Sequence, residues 1–501
     1  MNLKSKACSL LGIVSLFLAA CTSTSPEQEA LDFLYRYMPL SDSVDYNRAY
    51  WERCVQSTLQ AREEMPWGKT IPEREWKHFV LPVRVNNENL DDARTVLYHE
   101  LKDRVKGMSM YDAVLEVNHW CHEHVTYQPS DSRTSSPLAT LRSAIGRCGE
   151  ESTFTVSALR AVGIPARQVY TPRWAHTDNN HAWVEAWVDG KWHFLGACEP
   201  EPVLNLGWFN APASRGLLMH TKAFGHYDGP EEVMSQTACY TEINVTENYA
   251  PVSRLSVRVL DEKNAPVKDA RVDFRVYNYA EFYNLVSKTS DENGGASLTC
   301  GQGDLLVWAA KDGKFGFLKA SVGKDSLVTV ILDKAPGYCG TVDMDVIPPP
   351  ERNNLPPVTE EQRAENNRRF AYEDSVRQAY MDSAFCRPAE GGDAGFLQNA
   401  RANHPTISAF LKAHPTESAR RMLQTLRSKD FRDVTAEVLE DHFCNTAVPE
   451  GEFETWTRNI VGLRIANEML TPWRARLAAA FKGMDVKALI QWTRDSIRID
   501  E

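Results

Sequence analysis

The chain has 501 residues, 43% hydrophobic and 25% charged, an ordinary globular balance with length for about three domains. Its formal charge of −11 leaves no basic excess to neutralise phosphates, which argues against a nucleic-acid partner. Eleven cysteines are scattered without C-x-x-C spacing, so they suggest neither a disulfide framework nor a zinc ribbon.

The first residues have the pattern of a signal peptide over 1–20. Lys4 and Lys6 precede an apolar run at 10–20 that is too short to span a bilayer, which takes about 20 residues. The run ends in Leu18-Ala19-Ala20-Cys21, which resembles the lipobox of bacterial lipoproteins. That resemblance implies a lipid anchor on Cys21, a flexible tether after it, and a place in the bacterial cell envelope, periplasmic-facing or on the outer surface. No later apolar run is long enough to span, so a lipid-anchored but otherwise soluble protein is expected.

Residues 21–110 are expected to be tether and helical N-terminal region. Within 111–125, Val114, Val117, Cys121 and Val125 recur at helical spacing, so one face of a helix is buried. Residues 111–250 form the informative core, a helix followed by short alternating strands. From 251 to 335 the pattern is that of a β-sandwich: Leu255, Val257 and Val259 alternate, as do Val272, Phe274 and Val276, and Asn293-Gly294-Gly295 marks a turn. Val257-Arg258-Val259-Leu260-Asp261 and Ala265-Pro266-Val267 resemble segments of carboxypeptidase-regulatory or prealbumin-like domains. A Pro-rich linker occupies 336–358. A helical C-terminal domain fills 359–501, with Thr359 and Gln362 spaced as a capping box at its start. The last helix, with Val486, Leu489, Trp492 and Ile497, echoes Val114, Val117, Trp120 and Val125, as amphipathic helices do by chance.

The chemistry centres on Gly146-Arg147-Cys148-Gly149-Glu150-Glu151. Glu150 and Glu151 suit a first helical turn and Gly163-Ile164-Pro165 supplies a stop, so Cys148 falls at a helix N-terminus. Unpaired N–H groups and the helix dipole there favour a thiolate and lower its pKa. About thirty residues on, His181-Ala182-Trp183-Val184-Glu185-Ala186-Trp187-Val188 alternates as a strand, and Asp189-Gly190 is a hairpin turn. A histidine at a strand start can take the thiol proton of such a cysteine. His119, Cys121, His122 and His124 fit packing better than a metal site, because only His119 and His122 share a helix face well. No cofactor or metal is called for.

Three segments in one order make a specific resemblance: Gly146-Arg147-Cys148-Gly149-Glu150, then Leu159-Arg160-Ala161-Val162-Gly163-Ile164-Pro165, then His181-Ala182-Trp183-Val184-Glu185. Together they resemble the transglutaminase-like superfamily, whose members include transglutaminases, bacterial cysteine proteases and peptide N-glycanases. The resemblance implies an α+β papain-like core, with Cys148 as nucleophile and His181 as general base. It implies thiol-dependent acyl transfer or hydrolysis at amide bonds of a peptide or glycopeptide. One departure stands out. The family's usual aspartate falls here on Gly196, which shares the His181 face of the expected hairpin but has no side chain. Three readings are open: Glu199 orients the imidazole if the chain bends after the strand, a backbone carbonyl or Asp178 does so, or the site is a degenerate binding cleft. Trp183, Trp174 and Asp178 are the candidate substrate contacts.

Overall fold

The computed structural model describes residues 25–386, 392–446, 460–464 and 466–497. The signal peptide and Cys21 lie outside the described residues. The architecture is α+β, with a helical N-terminal region, a papain-like core, a sandwich and C-terminal helices.

The described residues begin with five helices: α1 (Pro26–Tyr37), α2 (Leu40–Asp45), α3 (Arg48–Glu64), α4 (Glu73–Phe79) and α5 (Ala93–Leu101). They do not make a separate unit ending at residue 110. Leu34, Trp51, Leu97 and Tyr98 share one continuous hydrophobic core with Val117, Phe154, Leu159 and Val184. Each such side chain contributes roughly 1.5–3 kcal/mol on burial, so cutting at 110 would expose a core face.

Helix α6 (Met110–His124) starts where the Ser109 side chain accepts the Asp112 N–H, and it buries Val114, Val117 and Cys121 as the spacing predicts. The short strand β1 (Thr126–Tyr127) pairs in parallel with β2 (Ile145–Gly146) on either side of α7 (Pro137–Ser143). Helix α8 (Cys148–Ala161) then runs through the core, and Gly163, at φ +76°, ends it in a conformation that favours glycine.

Beside it lies a six-stranded sheet. It is built from β3 (Ala166–Thr171), β4 (His181–Val188), β5 (Lys191–Leu195), β6 (His220–Phe224), β7 (Val233–Gln236) and β8 (Tyr240–Asn244), in spatial order β5-β4-β3-β6-β8-β7. Asp189 and Gly190 both take positive φ, the two-residue turn that matches strand twist, and they set Val184 opposite Leu195. The short helix α9 (Asn210–Ser214) packs on this sheet's β4 side through the Phe209 and Ala213 cluster.

The sandwich has a four-stranded sheet formed by segments Arg271–Asn278, Glu281–Thr289, Asp304–Lys311 and Lys314–Ser321. A three-stranded sheet of Val252–Leu260, Gly295–Gly301 and Leu327–Ile331 faces it. Leu255, Val257, Val259, Val272, Phe274 and Val276 all point into its core, as their alternation predicts. The Pro-rich stretch then crosses the sandwich and the core, where Pro349 accepts from Arg215 and Arg352 donates to Ser214.

Helix α10 (Glu360–Ala384) begins at the Thr359–Gln362 capping box, both of whose hydrogen bonds form. It docks on α6 instead of joining the helices beyond it. Glu373 meets His119 at 2.8 Å, Arg369 meets Glu116 at 2.9 Å, and Phe370 covers the His122 ring. His119 and His122 are therefore part of a docking face for α10, while Cys121 lies in the core and His124 packs against Trp120. A separate small core follows, formed by Ile407, Phe410, Met422, Leu423, Phe431 and Leu439. The last helix, Val486–Ser496, has no buried residue and takes no part in that core. No helix among the described residues is long and apolar enough to cross a membrane.

Candidate active site

Cys148 is the first residue of α8, and Arg147 caps the helix through a reciprocal arrangement. Its N–H donates to the Glu150 carboxylate at 3.1 Å. The Arg147 guanidinium donates to the Asp131 and Ser132 carbonyls and to the Thr134 hydroxyl. It also passes over Gly149, where a Cβ would lie 2.2 Å from a guanidinium nitrogen, so a side chain there would push the guanidinium aside. Opposite, His181 begins β4, in register with Thr171 of β3. Cys148 and His181 line one cleft of about 880 Å³ whose walls include Tyr127, Gln168, Glu199 and Trp208.

Burial dominates the electrostatics of both groups. It pushes the Cys148 thiol up, against the pull of the Ala182 and Gly149 N–H groups and the Arg147 charge. The expected lowering by the helix N-terminus is thus outweighed. His181 is pushed down to about 4, also by burial. Its ring lies 5.6 Å from Trp183, 4.8 Å from Trp208 and 5.3 Å from Phe209, and no charge offsets this apolar shell. Nε2 of His181 is buried without a hydrogen-bond partner among the described residues. At neutral pH the pair is thiol and neutral imidazole.

Residues 99–197 match the model of the transglutaminase-like superfamily. The core is transglutaminase-like. Among solved structures, a Cytophaga hutchinsonii protein described as a cysteine protease is similar at 17% identity, covering 42% of this chain and 68% of its own, with TM-score 0.20. Red sea bream transglutaminase is similar at 10% identity, covering 51% of this chain and 65% of its own, with TM-score 0.25. A streptococcal ancillary pilin is similar at 5% identity, covering 33% and 60%, with TM-score 0.14. No curated protein sequence matches this chain significantly.

Within this transglutaminase-like core the chain does bend after β5. Gly196 and Glu199 form an isolated bridge, Glu199 N–H donates to the Gly196 carbonyl at 3.3 Å, and Cys198 between them has φ +57°. The turn returns the Glu199 carboxylate over Gly196, with Oε2 2.9 Å from where a Cβ would stand. Glu199 thus fills the space a side chain at 196 would take. It makes no hydrogen bond to the imidazole among the described residues; its Oε2 accepts instead from Trp208 Nε1 at 2.9 Å. Trp208 in turn lies against His181. Glu199 reaches His181 through that indole.

The substrate contacts expected of Trp183, Trp174 and Asp178 are corrected. Trp183 and Trp174 are 0% and 3% exposed, stacked on each other in the core behind His181. Trp183 Nε1 donates to Tyr249, which donates to Glu185, and Arg167 closes on Glu185 at 2.6 Å. Asp178 accepts the Tyr279 N–H of the sandwich at 2.7 Å and does not line the cleft. Several cleft residues escaped the sequence reading. Tyr127 carries an ordinary strand residue type, Trp208 sits in an irregular stretch, and His220 pairs with Glu242 at 2.5 Å on the cleft floor. For Trp208, a tryptophan–phenylalanine pair between Gly207 and Asn210 was the available signal.

Proposed function

We propose that this chain is a thiol-dependent enzyme that acts at amide bonds. Cys148 attacks a carbonyl carbon of a peptide or glycopeptide to form a thioester, which water or an amine then resolves. The observation that carries this reading is that Cys148 and His181 line one cleft, the thiol at a helix start where a helix leaves its first N–H groups without intrahelical partners. Those N–H groups suit the oxyanion that develops on the carbonyl oxygen. His181, neutral at pH 7, is in the form that accepts the thiol proton. The resemblance of Leu18-Ala19-Ala20-Cys21 to a lipobox supports a setting in the bacterial envelope, with Cys21 as the lipid anchor.

The unpartnered Nε2 of His181 and the bare Gly196 favour a second reading, a degenerate cleft that binds peptide or glycan without turnover. Intact-mass spectrometry separates the two. After incubation with p-nitrophenyl acetate, an acetyl adduct should form on Cys148 and be released by hydroxylamine at neutral pH. It should be absent from Cys148→Ala and form more slowly in His181→Ala. An adduct that never forms, or forms equally fast without His181, removes the enzymatic reading.

A further inference from the structure

We infer that Glu151 is a second proton carrier of the cleft, working in complement to His181. The inference rests on the thiol chemistry proposed above. Two consecutive glutamates open α8, and the structure gives them opposite fates. Glu150 is fully engaged: it accepts the N–H groups of Ser135 and Arg147 and lies 3.1 Å from Lys429 Nζ. Glu151 is 3% exposed, lines the cleft beside Cys148, and its Oε1 has no hydrogen-bond partner among the described residues. A buried carboxylate oxygen without a donor is costly, which favours the protonated form of the group.

Its surroundings agree. Burial first, then Cys198, Glu199 and Glu150, hold the Glu151 carboxyl well above the ordinary carboxylate range. Cys148 and Tyr127 also face it. Arg377, a cation that opposes this, spends its guanidinium on Asp374 and the His122 carbonyl. The spacing is equally telling. Residues three apart on a helix share a face, with Cβ atoms about 5–6 Å apart, so Glu151 stands one turn from the nucleophile. A neutral acid at that distance reaches the leaving group of a substrate bound to Cys148.

The proton ledger closes. In acylation the Cys148 Sγ–C bond forms and the amide C–N bond breaks. The Sγ proton passes to His181, and Glu151 gives its proton to the departing nitrogen. In hydrolysis water adds to the thioester carbonyl and returns a proton to Glu151. The C–S bond then breaks, and His181 hands its proton to the sulfur. Both groups finish as they began. In this division His181 carries the thiol proton through the life of the thioester, and Glu151 carries the proton of the leaving amine.

Full-length Glu151→Gln, nearly isosteric, tests the inference against wild type with matched substrates. One is p-nitrophenyl acetate, whose phenolate leaves without a proton. The other is a peptidyl p-nitroanilide, whose nitrogen needs one. The anilide-to-ester rate ratio should fall about 100-fold, the scale of a lost general acid. An infrared difference spectrum at pH 7 should also lose a protonated-carboxyl band. An unchanged ratio, or loss of carboxylate bands only, overturns the role of Glu151. A wild-type protein that acylates with neither substrate overturns the thiol chemistry itself, and this inference with it.

Discussion

Burial acts on Cys148 and His181 in opposite directions along the pH axis with one chemical result, a pair that is uncharged at neutrality. A thiolate–imidazolium pair would alkylate at a constant rate across about pH 5 to 8, between the two titrations. Here the thiolate appears only as pH rises into and beyond the ordinary thiol range. Iodoacetamide should therefore label Cys148 at a rate that climbs continuously with pH, without a neutral plateau. A plateau would show that the pair is ionised and that burial is not the dominant influence. The second residue-scale prediction concerns Glu199 as a positioning residue acting through Trp208. Glu199→Gln keeps an oxygen for the indole N–H, whereas Glu199→Ala does not. Losing that bond frees Trp208 to leave His181 and lets water reach the ring. The His181 pKa should then rise from about 4 toward the usual value in Glu199→Ala and Trp208→Phe, and stay low in Glu199→Gln. Proton-titration NMR of His181 reads this directly; equal pKa values in Glu199→Ala and wild type would uncouple the two residues.

At the scale of elements, the loop that delivers His181 is held from outside the core. Asn278, 1% exposed at the end of a sandwich strand, donates to the carbonyls of Trp174 and Thr177, and Asp178 accepts the neighbouring Tyr279 N–H. Arg173 lies over the Tyr283 ring at 4.4 Å. The sandwich thereby braces the base-bearing side of the cleft. Asn278→Ala leaves two carbonyls without their donor and should cost about 1–3 kcal/mol, seen as a Tm shift of a few degrees. It should also slow acylation of Cys148 with p-nitrophenyl acetate while leaving the far-ultraviolet circular dichroism unchanged; wild-type acylation would mean that the loop holds itself. Such contacts set the limit of what was legible beforehand. The hairpin at Asp189-Gly190, the stop at Gly163 and the capping box at Thr359 depend on neighbours within a few residues, so local pattern reveals them. The partners of Asp178 and His119 lie 101 and 254 residues away, and nothing local distinguishes those side chains from cleft or metal residues. The placement of Cys148 at a helix start and His181 at a strand start was legible because it follows from neighbouring residues. Glu151 was not, since its role comes from which of two adjacent glutamates the fold leaves unpaired.

Across the whole molecule the opposite wall is braced from the other end of the chain. Lys429, 1% exposed in the C-terminal helical domain, donates to the Asp131 and Arg133 carbonyls and sits beside the Asp131 and Glu150 carboxylates. Arg133 closes the contact on Asp433 at 2.6 Å. Residues 131–134 are also what the Arg147 guanidinium grips, so the domain holds the cap of the nucleophile helix by two steps. Burial alone would raise the Glu150 carboxyl, but Lys429 and Ser135 hold it below the ordinary range, and Asp131 is lowered by the same lysine despite its own burial. A carboxyl lowered in the folded state stabilises it above its unfolded pKa, and that contribution is lost as pH falls through the folded value. The domain contact should therefore loosen in acid, below about pH 4 where glutamate and aspartate protonate. Lys429→Met removes the cation and leaves Glu150 buried without it, a change that typically costs roughly 3–5 kcal/mol. The variant should behave at neutral pH as wild type does in acid. Hydrogen exchange over 128–134 and the first turn of α8 should accelerate in both, while exchange in the sandwich core stays slow. If Lys429→Met exchanges like wild type in that loop at pH 7, the C-terminal domain is a passenger on the catalytic core and not its second brace.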